Sequence, residues 1–578
     1  MREIFSFLFV LYAALCAAQT NYYVNGATGS NSNNGLSMAT AWKTIQKACN
    51  AAPANSIVHI KGGSYHENLT LNVSGTQNNP IVFTNYQDDV VILDGGGTTG
   101  TIMLSITNKS HVTFENMSIQ NLTSTYAKGI SVEAGTGSCT GLTFRNLLIK
   151  DIAWTDDPND MPSNSDNAWG LKVKGQVGGI WNLTIENCEI YGNVLGYSEA
   201  ITIAGHVDGF VIKDCAIHDN TNIGIDIIGH NDSSSDPDLD WPRNGLITGN
   251  TCYRNTSPVA QSAGIYVDGA QDIVIEKNSC YDNPIGIEVG CEDDGVAQYI
   301  RVKNNLIFNN HYTGLAVGGY TTDTSGQVLF STFRNNTFFK NNALNTGMGE
   351  ITVSKASNCV FEGNIVHANN QNVLLTMLDI APQENNLLNY NCFYTPSGNA
   401  NNIIVYWGES TYHTINAYKN GTAQENSSVY SNPGFMSTAL PEPDLALMQN
   451  SLCINKGNPA LQITVGETDF EGNPRIVANR IDIGAHEFNP ALGNAYHDLP
   501  TVSVSPNPFS GETLFKTTAG LDGAVLLLYD LSGRLVRTQQ PTSENTILLK
   551  QGNLPSGLYF YRIVRQGNAI GSGKLVVE

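Results

Sequence analysis

Basic residues are scarce in this chain of 578 residues: 30 Lys and Arg stand against 51 Asp and Glu, a formal net charge of −21. That balance argues against nucleic acid or an anionic membrane as partner. It also means that a polyanionic substrate is repelled at long range unless a cation or a local Lys/Arg cluster offsets the field. After the N-terminus no apolar run reaches the roughly 18 residues needed to cross a bilayer, so no transmembrane segment is expected. C-x-x-C spacing is missing from the ten cysteines after Cys16, which gives no metal-ligand pattern. Glycine, by contrast, is plentiful at 56 residues and asparagine is visibly in excess, so turns are frequent. The length predicts two or more structural units.

Residues 1–18 read as a secretory signal peptide: Arg2, an apolar run from Ile4 to Leu15, then Cys16, Ala17 and Ala18 before Gln19. Export permits disulfides. Cys188, Cys215, Cys252 and Cys280 nevertheless lie in apolar strand patterns and read as small core residues.

The middle of the chain repeats. A phrase of the form aliphatic-x-x-Asn-x-apolar recurs as ITGNTCYRN, IEKNSCYDN, VKNNLIFNN, FRNNTFFKN, FEGNIVHAN and LNYNCFY, centred on Asn250, Asn278, Asn305, Asn336, Asn364 and Asn391. Earlier copies carry Met117, Leu147, Cys188 and Cys215 in that column. A period of roughly 30 residues built from short strands and turns predicts a β-solenoid. The asparagine column then forms a buried ladder of side-chain amides.

A second strand appears once per coil: GLKVKGQ, AITIAGH, GIDIIGH, GIYVDGA, GIEVGCE and GLAVGGY. Its second and fourth positions are aliphatic in every copy and face the core, so the third and fifth face outward. The third column reads Lys172, Thr202, Asp226, Tyr266, Glu288, Ala316, and the fifth Lys174, Ala204, Ile228, Asp268, Gly290, Gly318. Three acids are thereby expected on one outer face. Strands disfavour Asp, and neighbouring like charges repel, so the cluster points to a site rather than to a solvated surface.

Three segments resemble known modules. The opening from Tyr22, YYVNGATGSNSNNGLSMATAWKTIQKACNAAPANSIVHIKGGSYHENLTL, resembles the N-terminal cap and first coils of right-handed parallel β-helix proteins, among them polysaccharide lyases and glycosidases. DFEGNPRIVANRIDIGAHEF, 469–488, resembles the segment that follows many exported β-helices, and its implied role is to cover the last coil. SVSPNPF, YDLSGRLVR, LPSGLYFYRI and GKLVVE resemble the C-terminal sorting domain of the type IX secretion system, which implies an Ig-like β-sandwich, the secretion machinery as partner, and a secreted or surface-attached protein. The expected architecture is all-β: signal peptide 1–18, right-handed parallel β-helix 19–395, closing segment 396–490 and sorting domain 491–578, in a monomer.

Asp268 and Glu288 differ by one coil and two positions, which puts their Cβ atoms about 8 Å apart. Inverting glycosidases hold their carboxyls roughly 6.5–9.5 Å apart. Glu288 is therefore expected as general acid, Asp268 as base and Asp226 as the group that tunes both, with Glu292 as rival acid and Tyr266 as hydrogen-bond donor. Long insertions flank the acid-bearing strand, and Trp154, Trp169 and Trp241 on them offer faces for sugar rings. His206 and His230, where the strand turns away, are expected to bind substrate or support the turn. Asp232, Asp236, Asp238 and Asp240 alternate as oxygen ligands for Ca²⁺ would, although the EF-hand spacing is missing. The hydrolase reading requires no cofactor. The alternative is a calcium-dependent polysaccharide lyase with Lys172 or Lys174 as base; a third is a non-catalytic glycan binder or adhesin.

Overall fold

The computed structural model describes residues 19–319, 324–477, 480–489, 502–517, 520–530, 534–565 and 568–577; the signal peptide lies outside them. Strands from Thr20 to Trp407 stack in parallel, each pairing in register with its counterparts one coil before and after. Two sheets result, one of 28 strands and one of 13 short strands. Leu171, Ile201, Ile225, Ile265, Ile287 and Leu315 form one inward column and are fully buried. Val173, Ile203, Ile227, Val267, Val289 and Val317 form a second. Each such side chain contributes about 1.5–3 kcal/mol of burial.

The expected amide ladder is present. The Nδ2 groups of Asn250, Asn278, Asn305, Asn336 and Asn364 each donate to the Oδ1 of the next ladder residue at 2.9–3.1 Å. They also donate to backbone carbonyls of the preceding coil. A second ladder runs beside it, through Asn193, Asn220, Asn255, Asn283, Asn310 and Asn341. Both end on a buried glutamate: Asn391 donates to Glu425, and Asn341 to Glu350 at 2.7 Å.

The residue before each ladder position turns the corner in the left-handed region, as Asn187, Asp214, Gly249, Lys277, Asn304, Asn335, Gly363 and Tyr390 do at one corner and Asp219, Arg254, Asp282, Asn309 and Lys340 at the other. Asn, Asp and Gly tolerate that conformation best. The excess of asparagine thus has two causes, ladders and corners.

Two boundaries differ from expectation. Regular pairing passes residue 395: Ile404–Trp407 and Val429–Tyr430 still join the stack. The repeat phrase hides this coil because Glu425 and Ser428, not an Asn, receive the donors of Asn391. Segment 469–488 does not cover the last coil. It lies along the flank, where Ile483 and Ala485 pack with Leu306, Phe339 and Ile365, and the Gly484 amide bonds the Gly363 carbonyl. Fully buried Arg475 holds this segment through Glu487 at 3.3 Å. The last coil is plugged instead by the helix Ile415–Thr422, capped by Thr414, whose Ile415 and Tyr418 enter the solenoid core.

Residues 489–578 form a separate unit with two antiparallel sheets, of three and four strands, around Phe515, Leu526, Ile547, Tyr561 and Leu575. All ten described cysteines are buried and unbridged.

Candidate active site

Strand register fixes the columns read from the sequence. Lys172 pairs with Thr202, Thr202 with Asp226, Asp226 with Tyr266, Tyr266 with Glu288, and Glu288 with Ala316. Asp268 stands between Ile228 and Gly290. The acids share one face, but it is not an open surface: Asp226, Tyr266 and Asp268 are at most 7% exposed, and Glu288 is half-buried. The 229–244 loop and the 291–295 turn explain this. A Cβ on Gly269 or Gly295 would meet the His230 ring, one on Gly205 would meet Ser233 Cβ, and one on Gly229 would meet Trp241 Cβ. At Gly290 an added Cβ would come within 3.4 Å of the Tyr266 hydroxyl, so the glycine leaves that group room.

Burial of several acids together dominates the electrostatics. Desolvation, then Glu292 and Asp268, pushes Glu288 up to about 8. Asp226 is raised well above the carboxylate range by burial and then by Glu199, Asp268, Glu292 and Glu288, and its Oδ1 has no hydrogen-bond partner. Asp268 is likewise raised well above the carboxylate range, by burial and then by Glu292, while its Oδ1 accepts the Glu292 backbone N–H at 2.7 Å, which pulls the other way. The Tyr266 hydroxyl lies 3.5 Å from the same oxygen. Burial and the acids push Tyr266 up, so it remains a neutral donor. Glu292 is raised by burial and by Asp293.

The structure adds Glu199, which sequence reading missed. It is buried, accepts the Thr202 hydroxyl at 2.6 Å, and is raised to about 7 by desolvation against the pull of Lys172. Glu199 lies just before the strand Ile201–Lys213, outside the alternation that exposed the other acids. Thr202, three residues on in the acid column, was the only signal for it.

Lys172 is half-buried and lowered to about 8, chiefly by desolvation. Its ammonium sits 3.7 Å from the Trp169 ring centroid, with Lys128 over the same ring at 5.2 Å and Tyr126 stacked beside it at 6.3 Å. Trp169 is therefore occupied by protein cations instead of offering a bare face to sugar. Trp241 anchors its loop: its indole N–H donates to the Asp238 carbonyl and its ring leans on His230. Trp154 is partly buried against the solenoid core. His206 packs edge-on against Trp181 and faces the Val177 carbonyl, while the buried Nε2 of His230 has no partner.

The loop acids serve their own turn. Asp236 caps the short 3₁₀ helix Pro237–Leu239, and Asp240 accepts the Ser234 N–H at 2.7 Å. Asp232 and Asp238 are exposed. Among the described residues, no group of three or more His, Cys, Asp or Glu is placed to hold a metal ion. Of the four acids expected as calcium ligands, Asp236 and Asp240 are engaged by backbone N–H groups of their own loop. A hollow of about 440 Å³ opens elsewhere on the solenoid, lined in part by Asn244, Asp272 and Arg301, and none of the acids above faces it.

Comparison with known proteins follows the fold. A family model described as "Right handed beta helix region" matches residues 103–341 and 241–434, and one described as "Secretion system C-terminal sorting domain" matches 503–578. The curated protein "Uncharacterized protein YwoF" of Bacillus subtilis (strain 168) is 30% identical over 434 residues, 72% of this chain and 89% of that one. Solved structures similar to the chain include pectate lyase Pel9A, with TM-score 0.43 and 17% identity over 82% of this chain and 97% of that one. The A-module of the Azotobacter vinelandii mannuronan C-5 epimerase AlgE6 gives TM-score 0.44 and 12% identity over 67% and 92%. GH136 lacto-N-biosidase from Eubacterium ramulus gives 0.40 and 14% over 68% of each chain. Likenesses this distant leave the chemistry to the side chains. The chain belongs to the right-handed β-helix family and carries a C-terminal sorting domain that directs it through type IX secretion to the cell surface or beyond.

Proposed function

We propose that the protein is a polysaccharide-degrading enzyme, and that it hydrolyses glycosidic bonds with Glu288 as general acid and Asp268 as general base. One observation carries this reading: buried carboxyls gathered in register on one face, with the two key acids in different environments. Glu288, raised to about 8 and given no backbone donor, is protonated at neutral pH. Asp268 is also raised by burial and by the Glu292 carboxyl, but it alone of the two accepts a backbone N–H, that of Glu292, which favours its ionised form. Their register, one coil and two residues, corresponds to about 8 Å between Cβ atoms, within the span that leaves room for a water. Asp268 takes a proton from that water as its oxygen bonds to the anomeric carbon. Glu288 gives its proton to the departing glycosidic oxygen. Tyr266, beside Glu288 in register, supplies a neutral donor, and Asp226, one coil before Asp268, holds the charge balance.

The test incubates the purified chain with neutral and acidic polysaccharides and follows reducing ends together with the ultraviolet absorbance of unsaturated uronates. Reducing ends without that absorbance are expected, and their loss in Glu288→Gln. A second reading has one observation in its favour. Lys172, lowered to about 8, has a neutral fraction at physiological pH and would act as the base of a β-eliminating lyase. Unsaturated product that disappears in Lys172→Met would select it. Full glycan binding with no cleavage on a broad panel would leave the adhesin.

A further inference from the structure

We infer that Lys128 and Lys172, which lie over Trp169, together with Lys174 two residues further along the strand, form a subsite for an anionic group on the glycan at the N-terminal end of the acid face, so that the substrate is an acidic oligo- or polysaccharide lying along the solenoid axis. This rests on the glycan-degrading reading and names its substrate class.

The three lysines are gathered against the trend of the molecule. In a chain with 30 basic residues and a net charge of −21, Lys128 pairs in register with Trp169 on the next coil, and Lys172 and Lys174 follow on the same strand. All three are half-buried. No carboxylate comes within salt-bridge distance of any of them among the described residues, although Glu133 pairs in register with Lys174 and is felt by Lys128 and Lys172, and Glu199 is felt by Lys172. Packing like charges together and stripping their water is unfavourable, and the indole face returns only about 0.5–2 kcal/mol per cation. An arriving anion recovers what the empty cluster loses. Tyr126, 47% exposed and stacked on Trp169, adds an aromatic surface beside the cations.

The geometry also sets where the anion falls. Lys172 lies two coils before Asp226 and three before Asp268, roughly 10 and 14 Å by coil spacing. A monosaccharide does not bridge that distance, whereas a short oligosaccharide does. With cations at one end and carboxyls at the other, the face has a polarity that orients a chain. It also supplies the local attraction that a polyanion needs to approach an acidic protein.

Uronate carboxylates and sulfate esters present the same chemistry, and the experiment separates them. Affinity electrophoresis of the full exported chain carrying Glu288→Gln, in chelator, would use polygalacturonate, alginate and their carboxyl-reduced forms. A parallel arm would use a sulfated galactan and its desulfated form. At least one charged polymer is expected to bind tenfold or more tightly than its neutral counterpart, and to weaken as salt rises. The triple variant Lys128→Met/Lys172→Met/Lys174→Met should abolish the preference. Lys174→Met alone, the least invasive change, should reduce it with an unchanged circular dichroism spectrum. Equal binding of charged and neutral forms overturns the proposal, as does binding to no charged polymer or an undiminished preference in the folded variants. Since no readout needs cleavage, failure here is distinct from failure of the hydrolytic assignment.

Discussion

At the residue scale, two carboxyls one coil and two residues apart differ by one hydrogen bond. Among the described residues the Glu292 N–H on Asp268 has no equivalent on Glu288, and on that difference rests the proposal of Asp268 as base and Glu288 as acid, although burial raises both carboxyls. Because the acid must be protonated to act, activity is expected to fall as pH rises through about 8, the value to which burial and the neighbouring acids bring Glu288. Glu288→Gln should lower turnover about 10²–10⁴-fold and remove that alkaline limb; a pH–rate profile of both proteins checks it. Much of this was legible in the sequence. Period-two alternation fixes which residues point outward, so Asp226, Asp268 and Glu288 could be aligned from spacing alone. Their burial was not legible, because it depends on how His230 and the 291–295 turn fold over the strand. Glu199 escaped for a related reason: it reaches the site from a turn that no alternation governs.

At the scale of elements, the ladders carry the polar interior. Asn278 receives both the backbone N–H and the side-chain amide of Asn250, and donates to Asn305 and to the carbonyls of Ile247 and Glu276. Asn278→Ala strands buried donors and acceptors on two coils and should cost about 2–3 kcal/mol, measured by denaturant unfolding. The first ladder was visible because its asparagines recur at a constant place in the phrase. The second ends the same phrase, where Asn also signals an ordinary turn, and only the coil-to-coil bonds separate the two roles. Glu350 and Glu425 are raised to about 8 and about 7, first by burial, against their hydrogen bonds to asparagine. Raised carboxyls stabilise the fold fully below their unfolded value, near 4.3, and lose that contribution as pH rises through the folded value. Melting temperature should therefore fall between pH 5 and pH 8 more steeply in the wild type than in Glu350→Gln, by calorimetry at both pH values.

At the scale of the whole molecule, the described residues divide into a stack, within 19–488, and a small sandwich, within 502–577. The stack was foreseeable from a repeat of about 30 residues. Its ends were less so, since the plug is an aromatic helix residue, Tyr418, with no repeat to announce it. Both ladders point the same way, and this has a consequence for length. Each amide hands its protons forward to the next coil and accepts from the one behind, so a column opens wherever a backbone N–H needs an acceptor, as Ile152 and Cys215 do. It closes on a glutamate, whose carboxyl oxygen accepts the last amide and passes no N–H on to a further coil. Between such start and stop marks one coil reads like another. Excising residues 305–335 would bring Asn278 against Asn336 and Asn283 against Asn341, with every ladder amide still mated. That shortened protein should fold with a single cooperative transition, whereas a cut of half that size, which ends out of phrase, should not. Coil number is thus a quantity that can be edited by whole units, with two glutamates as its punctuation.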